Sequence, residues 1–320
     1  MPRKHPKRPP GKVRRRRPES LLDAASWGVR EPANKDELRV ARVLVNFGVE
    51  SGVLLDGEER RLVNRRHIPV VAGDYVYTDG EVVEGVKPRG KVLARYAEEA
   101  GVRLVAANLD QVGVVCSASL PPLQEGFLDR YLVYCRIVDL PLFIVLNKMD
   151  EASEGVAERL DAYRGAGVDV YGTSALQGTG LEELERRLRR GDTILSGLSG
   201  AGKSSLLNTL LGLDLPVQEI STATGKGKHT TTTVEAFPLG RHLVIDSPGI
   251  KLFGLAGVPP EDVVKGFPEF EPLVEECRFP DCRHLEEEGC AVRAAAEVGR
   301  ISLLRYEHYC MLLRSLSEKV

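Results

Sequence analysis

Gly197-Leu198-Ser199-Gly200-Ala201-Gly202-Lys203-Ser204-Ser205 decides how the rest of this 320-residue chain is read. The apolar run before it, Thr193-Ile194-Leu195-Ser196, predicts a buried strand, and residues 204–213 after it predict a helix. Between them, glycines at 197, 200 and 202 let successive backbone N–H groups aim at one anion, at the start of a helix whose dipole favours negative charge. Lys203 is then placed to reach the β- and γ-phosphates of a nucleotide, and the Ser204 hydroxyl to reach Mg²⁺. Strand, cradle and helix together predict a parallel α/β sheet.

Upstream stands Asn147-Lys148-Met149-Asp150, directly after the apolar run Phe143-Ile144-Val145-Leu146. A strand's C-terminal end is where α/β proteins bind ligands. A guanine edge presents two donors that one carboxylate, Asp150, can accept, while Asn147 bonds the other edge and the Lys148 stem covers the ring. Adenine would set that carboxylate against an acceptor, a mismatch that reaches about 10⁴–10⁵ in discrimination at buried sites. Thr173-Ser174-Ala175 ends the next predicted strand, where a backbone N–H meets the guanine carbonyl. Downstream, Asp246-Ser247-Pro248-Gly249 follows the apolar residues 242–245. Asp246 is expected to hold the metal through water and the Gly249 N–H to sense the γ-phosphate.

The base reader precedes the phosphate loop, whereas an ordinary GTPase has them in the opposite order. The chain therefore reads as a circularly permuted GTPase binding GTP or GDP with Mg²⁺. Between the loop and Asp246 lies Gly225-Lys226-Gly227-Lys228-His229-Thr230-Thr231-Thr232-Thr233, a glycine-flanked switch segment. Thr231 is the expected metal-binding threonine, with Thr230 the alternative. The position after Gly249, where many GTPases carry a water-orienting Gln, is Ile250, which cannot hydrogen-bond. Hydrolysis is thus expected to be slow by itself, with Lys203, Thr231 and His229 as the catalytic set and His229 positioning the water.

Cys277, Cys282, His284 and Cys290 lie within fourteen residues, with Pro280-Asp281 and Glu288-Gly289 as turns between them. Three thiolates and an imidazole suit one closed, structural Zn²⁺ site. Cys116, Cys135 and Cys310 are isolated and read as buried thiols. Six cysteines in a chain this long make no disulfide framework.

Composition is that of a globular protein, 42% hydrophobic, with no apolar run long enough for a membrane span and no secretory leader, so a cytoplasmic location is expected. A net charge of −2 hides an asymmetry: residues 1–17 carry nine Lys or Arg and no acid. Such an arm cannot form a core and suits contact with nucleic-acid phosphates. From residue 38 to 95, five short β-rich runs (38–47, 52–55, 60–64, 74–77 and 81–86) predict a small barrel of OB type, with Asp56-Gly57 and Asp79-Gly80 as turns. Farther on, helices are predicted over 128–138, 156–165 and 181–189, and helical sequence over 294–318. The expected organisation is multidomain: a basic arm at 1–37, an OB-fold barrel at 38–100, a permuted α/β P-loop GTPase domain at 101–255, and a zinc-binding and helical region at 256–320.

The ordered set of arm, barrel, Asn-Lys-x-Asp, Thr-Ser-Ala, phosphate loop, Gly-x-Gly-x-His-Thr-Thr-Thr, Asp-x-x-Gly and Cys-x4-Cys-x-His-x5-Cys resembles the RsgA family, the ribosome small-subunit-dependent GTPases. The resemblance covers nearly the whole chain and implies a late assembly factor. Such a factor binds the small (30S) ribosomal subunit and its 16S rRNA, hydrolyses GTP when bound, and leaves afterwards. It implies the hydrolytic role for His229, the switch role for Thr231 and zinc on the Cys3His set. A monomer with no membrane partner is expected. Leu198 departs from the polar residue common at that place in the family's loop. A GTPase regulating a non-ribosomal partner, and an RNA-binding scaffold with structural nucleotide, are the alternatives.

Overall fold

The computed structural model describes residues 23–66, 68–97, 101–217, 233–247, 255 and 258–317. Five strands, β1 (Arg39–Asn46), β2 (Glu50–Leu55), β3 (Glu58–Asn64), β4 (Tyr75–Thr78) and β5 (Val82–Val86), close on themselves in the order β1-β2-β3-β5-β4-β1. Only the β3–β5 pair is parallel. Alternating residues point inward to a separate core that includes Ala41, Val43, Val53, Leu55, Leu62, Val76, Val83 and Val86. The β2–β3 turn places both Asp56 and Gly57 at positive φ, as a two-residue hairpin turn requires. The expected barrel is thus present.

A hairpin follows, in which β6 (Val92–Ala97) pairs antiparallel with β7 (Gly101–Ala107). The next elements are β8 (Gln111–Ser117), α1 (Glu125–Ile137), β9 (Leu142–Asn147), α2 (Asp161–Gly165), β10 (Asp169–Gly172), α3 (Leu181–Leu188), β11 (Thr193–Gly197), α4 (Lys203–Leu211), β12 (Glu235–Leu239) and β13 (His242–Asp246). The sheet runs β10-β9-β8-β11-β13-β12; all neighbours are parallel except β12–β13. Both faces are covered, and the strands divide their side chains accordingly. Val112, Val114, Ile144, Ile194 and Ile245 join the core under α1, while Val115, Phe143, Val145, Leu195 and Val244 join the core under α3 and α4. The barrel abuts the sheet edge, where Val45 of β1 pairs with Glu235 of β12. Arg42 of β1 also forms a 2.6 Å ion pair with Asp192 at the foot of β11.

One helix expectation changes. Instead of one helix over 156–165 there is a 3-10 turn, Glu158–Leu160, followed by the five-residue α2. Arg159 is drawn to Glu125 and Tyr163 to Asp129, both on α1, so tertiary contacts override helical propensity here. The helical sequence expected over 294–318 forms two helices, α6 (Ala291–Glu297) and α7 (Leu303–Ser317), with α5 (Glu271–Val274) before them. The Arg300 N–H turns back to the Ala295 carbonyl at 2.8 Å and Gly299 has φ +76°, which together end α6. The region has its own aromatic contacts, with Phe267, Phe270 and Tyr309 rings 5.2–5.3 Å apart. Its apolar residues are nevertheless continuous with the core under α1.

Candidate nucleotide cleft and metal cluster

Parallel pairing puts the C-terminal ends of β9, β10, β11 and β13 on one edge of the sheet, and the four sequence motifs leave from those ends. Ser117 pairs with Asn147, Gly172 with Leu146, Gly197 with Val115 and Leu195 with Asp246. Stretches separated by up to a hundred residues therefore meet because the register brings them level.

Asn147 is the joint. It is 1% exposed, and its Nδ2 donates to the Ala201 carbonyl at 3.1 Å. Its Oδ1 accepts from the Ala175 N–H at 3.2 Å and the Thr173 hydroxyl at 3.3 Å. One amide thus ties the base-reading stretch, the Thr-Ser-Ala stretch and the phosphate loop together. Gly202 lets it do so: at φ +90°, a Cβ there would lie 2.2 Å from Asn147 Nδ2. A Cβ at Gly197, φ +153°, would lie 2.2 Å from the Val115 carbonyl oxygen. Asp150 is held by the Ser174 hydroxyl, which donates to its Oδ1 at 2.5 Å. Lys148 stands in the left-handed region, φ 64°, and its ammonium donates to the Leu120 carbonyl at 2.7 Å. That contact lays the stem beside the cleft, and burial lowers the Lys148 pKa.

Lys203 opens α4, is 7% exposed, and donates to the carbonyls of Gly197 at 3.0 Å and Leu198 at 3.1 Å. Burial lowers its pKa, opposed by the nearby charge of Asp246. Burial likewise pushes Asp246 up to about 6, against the pull of Lys203. Asp246 Oδ1 is buried and has no hydrogen-bond partner among the described residues. An orphaned carboxylate oxygen beside a phosphate cradle fits a hydrated divalent cation, which would return the missing partner. Ser204 and Ser205 follow Lys203 in the first turn of α4, half-buried, as are Ser199 and Gly200 in the loop, while Ala201 is fully buried. Leu198 leans on the core under α1, which accounts for an apolar residue at that place.

The second cluster is local. One ligand atom each of Cys277, Cys282, His284 and Cys290 lies within 4.8 Å of the others, with His284 and Cys290 buried. His284 Nδ1 sits 3.5 Å from Cys277 Sγ and 3.6 Å from Cys290 Sγ, and Cys290 Sγ caps α6 by accepting from the Arg293 N–H. Four soft donors with sulfurs at this spacing fit a tetrahedral ion with metal–sulfur bonds of about 2.3 Å. Burial pushes the Cys282 thiol up to about 12 and lowers the His284 pKa.

His229, Thr231, Thr230 and Gly249, with the basic residues 1–17, lie outside the described residues. Two contacts carry no local sequence signal: the Tyr131–Ser196 hydroxyl pair under the phosphate loop, and buried Asp129 with Arg305.

Fold and cleft together define a GTPase whose motifs run in circularly permuted order. Residues 86–256 match the RsgA GTPase family. The chain is 40% identical over 244 residues to the small ribosomal subunit biogenesis GTPase RsgA of Haemophilus influenzae (strain PittGG), covering 74% of this chain and 70% of that one. Among solved structures, YjeQ from Thermotoga maritima is similar with TM-score 0.67 and 29% identity, over 87% of this chain and 98% of that one. YloQ, a circularly permuted GTPase, is similar with TM-score 0.64 and 25% identity, over 91% and 99%. The chain belongs to the RsgA GTPase family.

Proposed function

We propose that this GTPase is a late maturation factor of the small (30S) ribosomal subunit, binding 16S rRNA and leaving after GTP hydrolysis that the subunit stimulates. The observation that carries the nucleotide half of this reading is the meeting of Asn147, Asp150, Gly202, Lys203 and Asp246 at one sheet edge. The curated relative's name supplies the ribosomal half.

In this reading Asp150, Asn147 and the Ala175 N–H recognise guanine, with Lys148 along the ring and Ser174 holding the Asp150 carboxylate. Gly197, Leu198, Ser199, Gly200, Ala201, Gly202 and Ser205 wrap the phosphates with backbone N–H groups. Lys203 exchanges its two carbonyl partners for phosphate oxygens, a charge-assisted bond about twice as strong as a neutral one. Ser204 and Thr231 hold Mg²⁺ directly, Asp246 through water, and Gly249 senses the γ-phosphate. An ion held by these residues would supply neutralisation of the charge on the phosphates. His229 orients the attacking water in place of the glutamine that Ile250 replaces. Cys277, Cys282, His284 and Cys290 hold one structural Zn²⁺. The proposed factor acts as a cytoplasmic monomer, as its ribosomal partner requires of its location; separately, no helix among the described residues is long and apolar enough to cross a membrane.

The test is GTP turnover by the purified protein alone, with small subunits and with large subunits. Acceleration by small subunits only, lost in His229→Ala, is expected. Brisk turnover unaffected by subunits or by His229→Ala would overturn the reading.

A further inference from the structure

Helix α1 is buried over nearly its whole length, including Phe127, Leu128, Asp129, Tyr131, Leu132, Val133, Tyr134 and Cys135. It therefore has two working faces. On the sheet side, Tyr131 is 0% exposed, and its hydroxyl shares a hydrogen bond with Ser196 Oγ. Ser196 immediately precedes Gly197, whose carbonyl, with that of Leu198, holds the Lys203 ammonium. One turn earlier, Leu123, Gln124 and Phe127 border one small cavity with Leu198 and Ala201. The Phe127 and Tyr131 rings are 5.0 Å apart. The helix thus braces the phosphate loop at both its root and its flank.

On the other side, Asp129 is 0% exposed and accepts from Arg305, from the Tyr163 hydroxyl at 2.8 Å and from His308 Nδ1 at 2.6 Å. Arg305 and His308 belong to α7. Arg305 also donates to Glu269 at 2.7 Å and to the Gly266 carbonyl at 3.1 Å, with its guanidinium over the Phe267 ring at 4.4 Å. Gly266 is pressed against Val133, where a Cβ would come within 2.3 Å. A buried charge pair tolerates little displacement, because separating its members leaves an uncompensated charge. α7 and the phosphate loop are therefore fixed to opposite faces of one rigid helix.

We propose that Tyr131 is a positioning residue for the phosphate loop, and that α1 couples the loop to the C-terminal helix α7. The inference rests on the nucleotide cleft proposed above. Linkage makes it reciprocal: whatever α7 does to nucleotide affinity, nucleotide does to the stability of α7 docking. Burial raises the Tyr131 pKa, so its hydroxyl remains a neutral hydrogen-bonding group throughout the working range.

The test is hydrogen exchange of residues 303–317 in the full chain, with and without GDP and Mg²⁺, beside a titration of fluorescent GDP. GDP is expected to slow exchange in that segment. Tyr131→Phe should abolish the GDP-dependent change and weaken GDP binding about five- to tenfold, near the lower end of typical coupling. Ser196→Ala should do the same, and the double variant no more than either alone; it also carries the test should Tyr131→Phe not fold. A purely structural tyrosine would lower thermal stability while leaving the GDP-dependent change intact. Saturable GDP binding with unchanged exchange over 303–317 would overturn the inference and spare the cleft. Absence of GDP binding in the native protein would overturn both.

Discussion

The metal cluster and the nucleotide cleft are built in opposite ways. The cluster draws four ligands from fourteen consecutive residues, whose ligand atoms lie within 4.8 Å of one another. The cleft draws Asn147, Ser174, Gly202 and Asp246 from four strand ends and depends on the register of a whole sheet. A local site stands or falls with its ion; a distributed one stands with the fold and fails by single atoms. Variants at each should separate these two behaviours.

Removing the ion should have the largest effect. Chelation, or Cys290→Ser, is expected to release one Zn²⁺ per chain by elemental analysis and cost about 3 kcal/mol or more, given the free energies structural zinc sites contribute. If stability is unchanged, the cluster is not structural. In the cleft, Gly202→Ala sets a Cβ against Asn147 Nδ2 at a positive φ. Strain of about 1–3 kcal/mol translates to roughly ten- to a hundredfold weaker GDP binding, with zinc content intact.

Asp246 should invert the usual sense of a site mutation. A carboxyl raised from 3.8 to about 6 binds its proton more tightly in the folded chain. The resulting stability is present below about pH 4 and lost as pH rises through about 6. Asp246→Asn keeps the neutral form, so the nucleotide-free variant should be about 3 kcal/mol more stable than the native chain at pH 8 and equal to it near pH 4. Urea midpoints at the two pH values check this, and Mg²⁺-dependent turnover should be lost. Smallest of all, Ser174→Ala removes the hydrogen bond to Asp150. Its expected cost is about 1 kcal/mol in GDP affinity, measured by titration, with no change in fold stability.

The difference between the sites also explains what could be read from the chain. The Cys3His spacing, the phosphate loop and the five barrel strands are local patterns, and each lies where the pattern placed it. The loop's contact with Asn147 is non-local: the sequence pointed to both stretches lining one cleft, but the hydrogen bond between them depends on the sheet register. The hairpin β6–β7 was not legible, because the sequence Glu98-Glu99-Ala100 between its strands carries no recognisable hairpin signal. Arg305 looked like one more cation on an Arg-rich helix. Only the packing of α7 on α1 buries it to 1% exposure beside Asp129, 176 residues away in sequence. Val156 to Gly165 has helical periodicity, but its side chains satisfy α1 first.

The central claim is that Asp150 and Lys203 act on one bound nucleotide. Competitive titration with GDP and xanthosine diphosphate, on the native chain, Asp150→Asn and Lys203→Ala, tests it most directly. The native chain should prefer GDP, Asp150→Asn should reverse the preference, and Lys203→Ala should weaken the binding of both ligands. An unaltered base preference in Asp150→Asn, or unimpaired binding in Lys203→Ala, would contradict the account.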